Sequence, residues 1–357
     1  MSSETRDVIT LTHGAGGTVM QELIKRKLLK ALRHDETSGF EVPLEDLDDA
    51  AVVRGIVFTT DSYTVKPLFF PGGDIGSLAV AGTVNDISMM GGTPVALSLA
   101  LMIEEGFAIS DLERILQSVD SVASKAGVQI VTGDTKVVEH SALDGLLINT
   151  SGIGFRSPAL EHNFEVASRL RPLMTKKWLL DSNIRAGDKI IVSGHIADHG
   201  MAIMSVREGY SFKTEIVSDV APLNGLMRKA LEIGGVVAAK DPTRGGVANL
   251  LNEWSEKSRV GIDISETEIP VRPQVGAALE LLGIDPLVVG NEGKVVLAVI
   301  PEQANAVLEA IRSVPEGRDA AIIGEATSRH GVVAMRTVVG GSRVIPAPAG
   351  DPVPRIC

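Results

Sequence analysis

VVAAKDPTRGGVANLLNEW (236–254) decides the architecture. Residues 236–239 form a short apolar run of strand type, Lys240 to Gly246 form a turn rich in Gly and Pro, and a helix follows through Trp254. A strand thus hands an aspartate, Asp241, to a Gly-rich turn at the mouth of a helix. The same grammar recurs outward along the chain. Residues 56–60 end at Asp61, and residues 128–131 end at Thr132-Gly133-Asp134-Thr135-Lys136. Asp74 opens a small-residue helix that stops near Met90, and residues 189–193 lead to a helix from about Asp198 to Glu208. Strands alternating with helices predict an α/β (α+β) fold with mixed sheets. The poorly periodic stretch 156–186 separates two domains, 1–170 and 180–345. Residues 346–357 are Pro-rich and predict an extended, unpacked tail. At the N-terminus, residues 7–12 read as a strand, followed by a Gly-rich loop and a helix opened by a Thr18–Gln21 capping box.

The bulk numbers agree with a globular protein. The chain has 357 residues, 44% hydrophobic and 22% charged, enough for two cores. Aromatics are only 3%, so those cores are aliphatic. A formal net charge of −11 argues against nucleic acid and anionic membrane partners. No apolar run reaches the length of a membrane span. A single cysteine excludes an internal disulfide and makes a cytoplasmic setting the expectation.

Three features carry chemistry. Gly14, Gly16 and Gly17, between a strand and a helix, suit either an anion nest or a plain tight turn. The loop fits neither a Walker motif nor Gly-x-Gly-x-x-Gly. Asp61, Asp74, Asp86, Asp134 and Asp241 stand at element ends. Singly, each reads as a cap or turn; together they suit Mg²⁺, which takes a few carboxylates plus substrate phosphates. Asp86, in the last turns of its helix, opposes the helix dipole unless a cation is near. His195 and His199, four apart beside Asp198, read as a weak metal pair or as capping and packing residues. Finally, the only cysteine, Cys357, is the last residue. Twelve extended residues from Pro346 reach roughly 37 Å. Such an arm can present a thiolate, a good nucleophile and covalent handle, to more than one site.

These residues also resemble a known family. The match rests on Gly14 to Gly17, Thr60-Asp61-Ser62, Val84-Asn85-Asp86, Thr132 to Lys136, Asp198-His199-Gly200, Asp241 to Gly246, Asn291-Glu292-Gly293-Lys294 and the ending Pro354-Arg355-Ile356-Cys357. Together they resemble the HypE family, the carbamoyl dehydratases of nickel–iron hydrogenase maturation. That family belongs to the superfamily of aminoimidazole ribonucleotide synthetase and selenophosphate synthetase. The resemblance spans residues 7–357, and the Pro-Arg-Ile-Cys ending is its most specific part. It implies a two-domain PurM-like fold and a homodimer joined through the N-terminal sheets. It implies ATP and Mg²⁺ as cofactors, with Asp61, Asp86, Asp134 and Asp241 around the metal and Gly14, Gly16 and Gly17 around the nucleotide. It implies a carbamoyltransferase partner, HypF, that loads Cys357, and a HypC–HypD scaffold that receives cyanide. Glu292 and Lys136 resemble the family's amide-handling pair, Glu292 as base and Lys136 as orienting cation. Selenophosphate synthetase is the less suitable relative, because residues 13–17 contain no cysteine. A non-catalytic scaffold presenting Cys357 is the other alternative.

Overall fold

The structure, a computed structural model, describes residues 8–32, 39–172, 174, 176–209, 216–350, 352–353 and 356–357. The chain opens with a 3-10 turn, Leu11–Gly14, and α1 (Gly17–Leu23), which passes through a π-helical Ile24–Leu28 into α2 (Leu29–Ala31). The strand expected at residues 7–12 does not form; Asp7 lies outside the described residues. Val8, Ile9 and Leu11 are exposed and find no partner strand among the described residues. The Thr18–Gln21 box is also replaced. Gly16 is the N-cap of α1, and Gln21 reaches Glu253 of the second domain at 3.0 Å.

The first sheet comprises β1 (Phe40–Val42), β2 (Ala51–Val53), β3 (Ile56–Tyr63), β6 (Gly92–Glu104), β7 (Gln129–Val138) and β8 (Leu146–Arg156), in the order β1-β2-β3-β8-β6-β7. Only β6 and β7 are parallel. A hairpin of β4 (Phe69–Phe70) and β5 (Gly73–Asp74) leads into α3 (Ile75–Met89). Asp74 caps α3 by accepting from Ser77 N at 2.9 Å, so its carboxylate serves the helix. Small residues let α3 bury almost all its length between this sheet and the second domain. The amphipathic α4 (Ile109–Ala126) covers the sheet beyond it.

The second domain contains α5 (Pro158–Leu170), β9 (Lys189–Val192), α6 (Asp198–Arg207), α7 (Asn224–Ile233), β10 (Val236–Lys240), α8 (Gly246–Ser258), β11 (Gly261–Ser265), α9 (Pro273–Leu282), β12 (Val296–Val299), α10 (Pro301–Arg312), β13 (Ala321–Thr327), β14 (Val333–Arg336) and β15 (Ser342–Val344). Its strands run in the order β10-β12-β9-β13-β11-β14-β15, again mixed. Helix α5 bridges the two halves. Leu160, Phe164 and Ala167 join a buried cluster that also holds Val57 and Ile87 of the first, and Asn163 exchanges hydrogen bonds with the backbone of Val236 in the second. The first sheet itself ends at Arg156.

The tail is not unpacked. Val353 and Ile356 are buried, and Thr18 N donates to Pro348 O at 3.1 Å. The apolar residues among the prolines supply the anchoring that a purely compositional reading misses.

Candidate active site

Strand alternation aims Asp61 inward with Thr59 and Tyr63, toward α3. Tyr63 Oη donates to Asp61 Oδ2 at 3.1 Å, and Thr59 Oγ1 donates to Asp86 Oδ2 at 2.7 Å. Burial, reinforced by the charge of Asp61, pushes the Asp86 carboxyl well above the carboxylate range. Asp241 stands where β10 gives way to the turn. Burial raises it to about 6, with Lys240 opposing and Asp61 assisting. Asp49, just before β2, rises to about 7 for the same first reason. Both domains thus contribute acids to one cleft.

Glu292 enters from a loop that is locked on every side. Asn291 is fully buried; its Nδ2 donates to Pro242 O and Val289 O, and its Oδ1 accepts from Ala197 N at 2.7 Å. Glu292 N donates to Asp219 Oδ1 at 3.1 Å, and Asn85 Nδ2 of α3 reaches Glu292 O at 3.4 Å. The side chain is 2% exposed, and its Oε1 has no hydrogen-bond partner among the described residues. Burial, with Asp241, Asp219 and Asp61 beside it, raises its proton affinity strongly.

Cys357 meets this cleft. It is half-buried against the core, and Thr64 Oγ1 donates to its main-chain oxygen at 3.4 Å. The charge at Cys357 is the first cause holding Arg244 more firmly protonated, with Asp61, Glu292 and Tyr63 acting in the same sense against burial. Arg244 Nη1 also donates to Gly14 O at 3.2 Å. A cavity of about 670 Å³ lies here, walled by Ile9, His13, Gly14, Ser62, Arg244 and Cys357. A smaller one of about 210 Å³ adjoins Gly16, Gly17, Asp241 and Arg244. The Gly-rich loop is thus beside the acids, but its glycines also serve packing. Gly17 has φ +68°, and a Cβ there would collide with Pro348 O.

A second charged group lies behind Asp241. Lys240 Nζ is 3.0 Å from Asp49, 3.2 Å from Asp181 and 3.3 Å from Glu253, and Lys257 Nζ is 2.7 Å from Asp181. Burial would raise Asp181, but the two lysines overrule it and hold it at about 2.

The single chain does not bring all the expected residues together. Asp134 and Lys136 are 3.9 Å apart on β7 and each 70% exposed. They sit on the outer face of the sheet, and β7 is three strands from β3, roughly 14 Å away at ~4.8 Å per strand. His195 and His199 do not form a metal pair. His195 lies 3.3 Å from Asp319, while His199 bonds Ser218 and the tail. Among the described residues no three acidic, histidine or cysteine side chains converge closely enough to hold a metal unaided. Arg355 lies outside the described residues. Sequence reasoning passed over Arg244, Asp49 and Asp219 as site residues. Arg244 was inside a quoted motif; Asp49 and Asp219 carry no local signal, since only the fold brings them to the cleft.

The two-domain architecture is that of the AIR synthase related proteins. Residues 47–155 match the family's N-terminal domain and residues 185–336 its C-terminal domain. Within that class, the chain is 46% identical to the carbamoyl dehydratase HypE of Rhizobium leguminosarum bv. viciae, covering 98% of this chain and 95% of that one. It is 49% identical to a putative hydrogenase expression/formation protein of Methanocaldococcus jannaschii, over 98% and 99%. A solved structure of HypE in complex with ATP superposes with a TM-score of 0.78 at 40% identity, over 98% of this chain and 100% of that one. The HypE chain of a HypE–HypF complex gives a TM-score of 0.82 at 45% identity, over 91% and 99%. The chain belongs to the HypE family of carbamoyl dehydratases.

Proposed function

We propose that this chain is an ATP-dependent carbamoyl dehydratase acting on its own last residue. The observation that carries this is that Cys357 and Arg244 line one cavity, with Ile356 packed on Gly290 of the loop that bears the buried, under-bonded Glu292. The substrate is the S-carboxamide of Cys357. The carboxamide oxygen attacks the γ-phosphorus of ATP and ADP leaves. The two nitrogen protons are then lost as phosphate departs with the oxygen. The product is a thiocyanate on Cys357, with ADP and phosphate. An amide oxygen is a poor leaving group and its phosphate a good one. Glu292, whose buried Oε1 has no partner among the described residues, is the base for one nitrogen proton, and the departing phosphate takes the other. Arg244 supports the negative charge that gathers near Cys357. The thiocyanate supplies a cyanide ligand for hydrogenase iron.

Mg²⁺ fits the cleft. Burial and the Asp61 charge raise the carboxyls of Asp86 and Asp241, and a divalent cation among the three acids would offset both effects. Too few converge to hold a metal unaided, which suits an ion that keeps phosphate and water ligands. When bound, it screens the phosphates from these carboxylates.

The outer face of the first sheet supports a homodimer. Phe58 and Phe155 are each 46% exposed there, with Ile56, Ile153 and Met102 alongside. Asp134 and Lys136 share this face, so each reaches a cleft by way of the second copy. HypF, as carbamoyl donor, and a HypC–HypD complex, as cyanide acceptor, are the proposed partners, in a cytoplasmic setting. Two tests follow. ATP turnover should depend on prior carbamoylation of Cys357; turnover indifferent to loading, or none at all, would favour a scaffold. Mixing inactive Lys136→Ala and Glu292→Ala chains should restore about a quarter of wild-type dehydration through hybrid dimers. No recovery after proven subunit exchange would place Lys136 in its own chain's cleft or outside the site.

A further inference from the structure

His199 is fully buried, yet both ring nitrogens are engaged. Nε2 lies 2.7 Å from Ile356 O and Nδ1 lies 2.8 Å from Ser218 Oγ. A carbonyl oxygen only accepts, so Nε2 carries the proton. Burial lowers the ring's proton affinity, so Nδ1 is bare and accepts from the Ser218 hydroxyl. Ser218 Oγ in turn accepts from Val220 N at 3.1 Å. This chain of donors has one sense and ends on the tail. Ring orientation is also fixed by Phe70, whose ring meets His199 edge-on at 5.4 Å.

The side chain of Ile356 is held as firmly. It is 1% exposed, and its Cδ1 occupies the space that a Cβ at Gly290 would need. Gly290 is two residues from Glu292 on the same loop. Asp219, the neighbour of Ser218, accepts from Glu292 N at 3.1 Å. One loop and one segment therefore build both the holder of the tail and the holder of Glu292.

We propose that His199 and the Gly290-floored slot form a seat for Ile356 that sets the register of the Cys357 carboxamide against Glu292. His199 is a positioning residue, and the slot selects a side chain of isoleucine size next to the terminal cysteine. The seat rests on the reading of Cys357 as the carried group only for its consequence in catalysis; its existence is tested without it.

The test exploits the single cysteine, which makes thiol labelling a direct report of the seat's opening. In unloaded protein, His199→Phe should label roughly five- to tenfold faster than wild type, the effect of one buried hydrogen bond. Ile356→Ala should label tens of times faster, on the order of a deleted core side chain. His199→Gln, which keeps a donor, should recover part of the protection. In loaded protein, the seat variants should be carbamoylated at least as fast as wild type while dehydrating more slowly. A damaged fold would lower both. Labelling at the wild-type rate in both His199→Phe and Ile356→Ala would overturn the seat, as would loading that falls in step with dehydration. If wild type failed to dehydrate at all while the labelling pattern held, the functional reading would fail and the seat would stand.

Discussion

Two buried acidic groups lie side by side in this molecule and differ at their centres. Two lysines hold Asp181 at about 2, although burial and the Asp181 charge raise Asp48 and Asp49 beside it to about 7. Around Asp86, Asp241 and Glu292, burial and mutual repulsion dominate, and all three carboxyls are raised. Lys240 touches both groups: it pairs with Asp181 and Asp49 and also tempers Asp241. Asp181 has its counter-charges within the fold. On the proposed function, Asp86, Asp241 and Glu292 meet theirs when the nucleotide and its cation bind. Such a contrast separates structural from functional carboxylates better than burial does, because both groups are buried.

The largest break in the comparison comes from Glu292→Ala. Loading of Cys357 should persist, while dehydration should fall by about 10²–10⁴, the usual worth of a positioned base. Equal loss of loading and dehydration, measured by timed mass spectrometry, would mean that the residue supports the fold rather than the chemistry.

Next is Asp181→Ala. It strands Lys240 and Lys257 in the interior and should destabilise the protein by about 3–5 kcal/mol in denaturant unfolding. Asp86→Asn should do the reverse to nucleotide-free protein, raising its stability by about 1 kcal/mol while weakening Mg-dependent ATP binding. If both changes destabilised equally, the distinction between the two groups would be lost.

The smallest effect is a slope. In the folded state Asp241 titrates at about 6 and Asp49 at about 7, against an ordinary 3.8. The folded chain therefore keeps protons that the unfolded chain gives up, so this region is destabilising above its folded values and relieved as the pH falls toward about 4. Asp181 works the other way, stabilising above 3.8 and losing that contribution only as the pH falls toward 2. Thermal unfolding of nucleotide-free protein should thus give a midpoint that declines from pH 5 to pH 8. Mg²⁺ with ATP should flatten the decline, and chelation should restore it. A midpoint that rises across this window would reverse the sign of the argument.

Much of this was legible in the sequence, and the failures have physical causes. Strand-end aspartates were legible because a short apolar run followed by a Gly-rich turn fixes where a carboxylate emerges; Asp61 and Asp241 are there. Which of them meet is a matter of strand order, and no local pattern told that β7 lies at the far edge from β3 with Asp134 and Lys136 on the other face. Proline counts conceal Val353 and Ile356, both buried, and the burial of Ile356 needs a slot floored by the distant Gly290. His199 reads from the sequence as either half of a weak metal pair or a capping and packing residue; the structure gives it the packed role, with partners Ser218 and Ile356 that are remote in sequence. Residues 8–12 have strand composition but find no partner strand among the described residues, and composition alone does not make a ladder.

The central claim is that Cys357 carries the group being transformed, and intact mass tests it most directly. Wild-type chain carbamoylated by its partner transferase, then given ATP and Mg²⁺, should lose the mass of one water while the modification stays on Cys357. Cys357→Ala should fold and bind ATP but never gain the carbamoyl group. An unchanged mass despite ATP consumption, or a Cys357→Ala chain that still gains the group and loses water, would contradict the account.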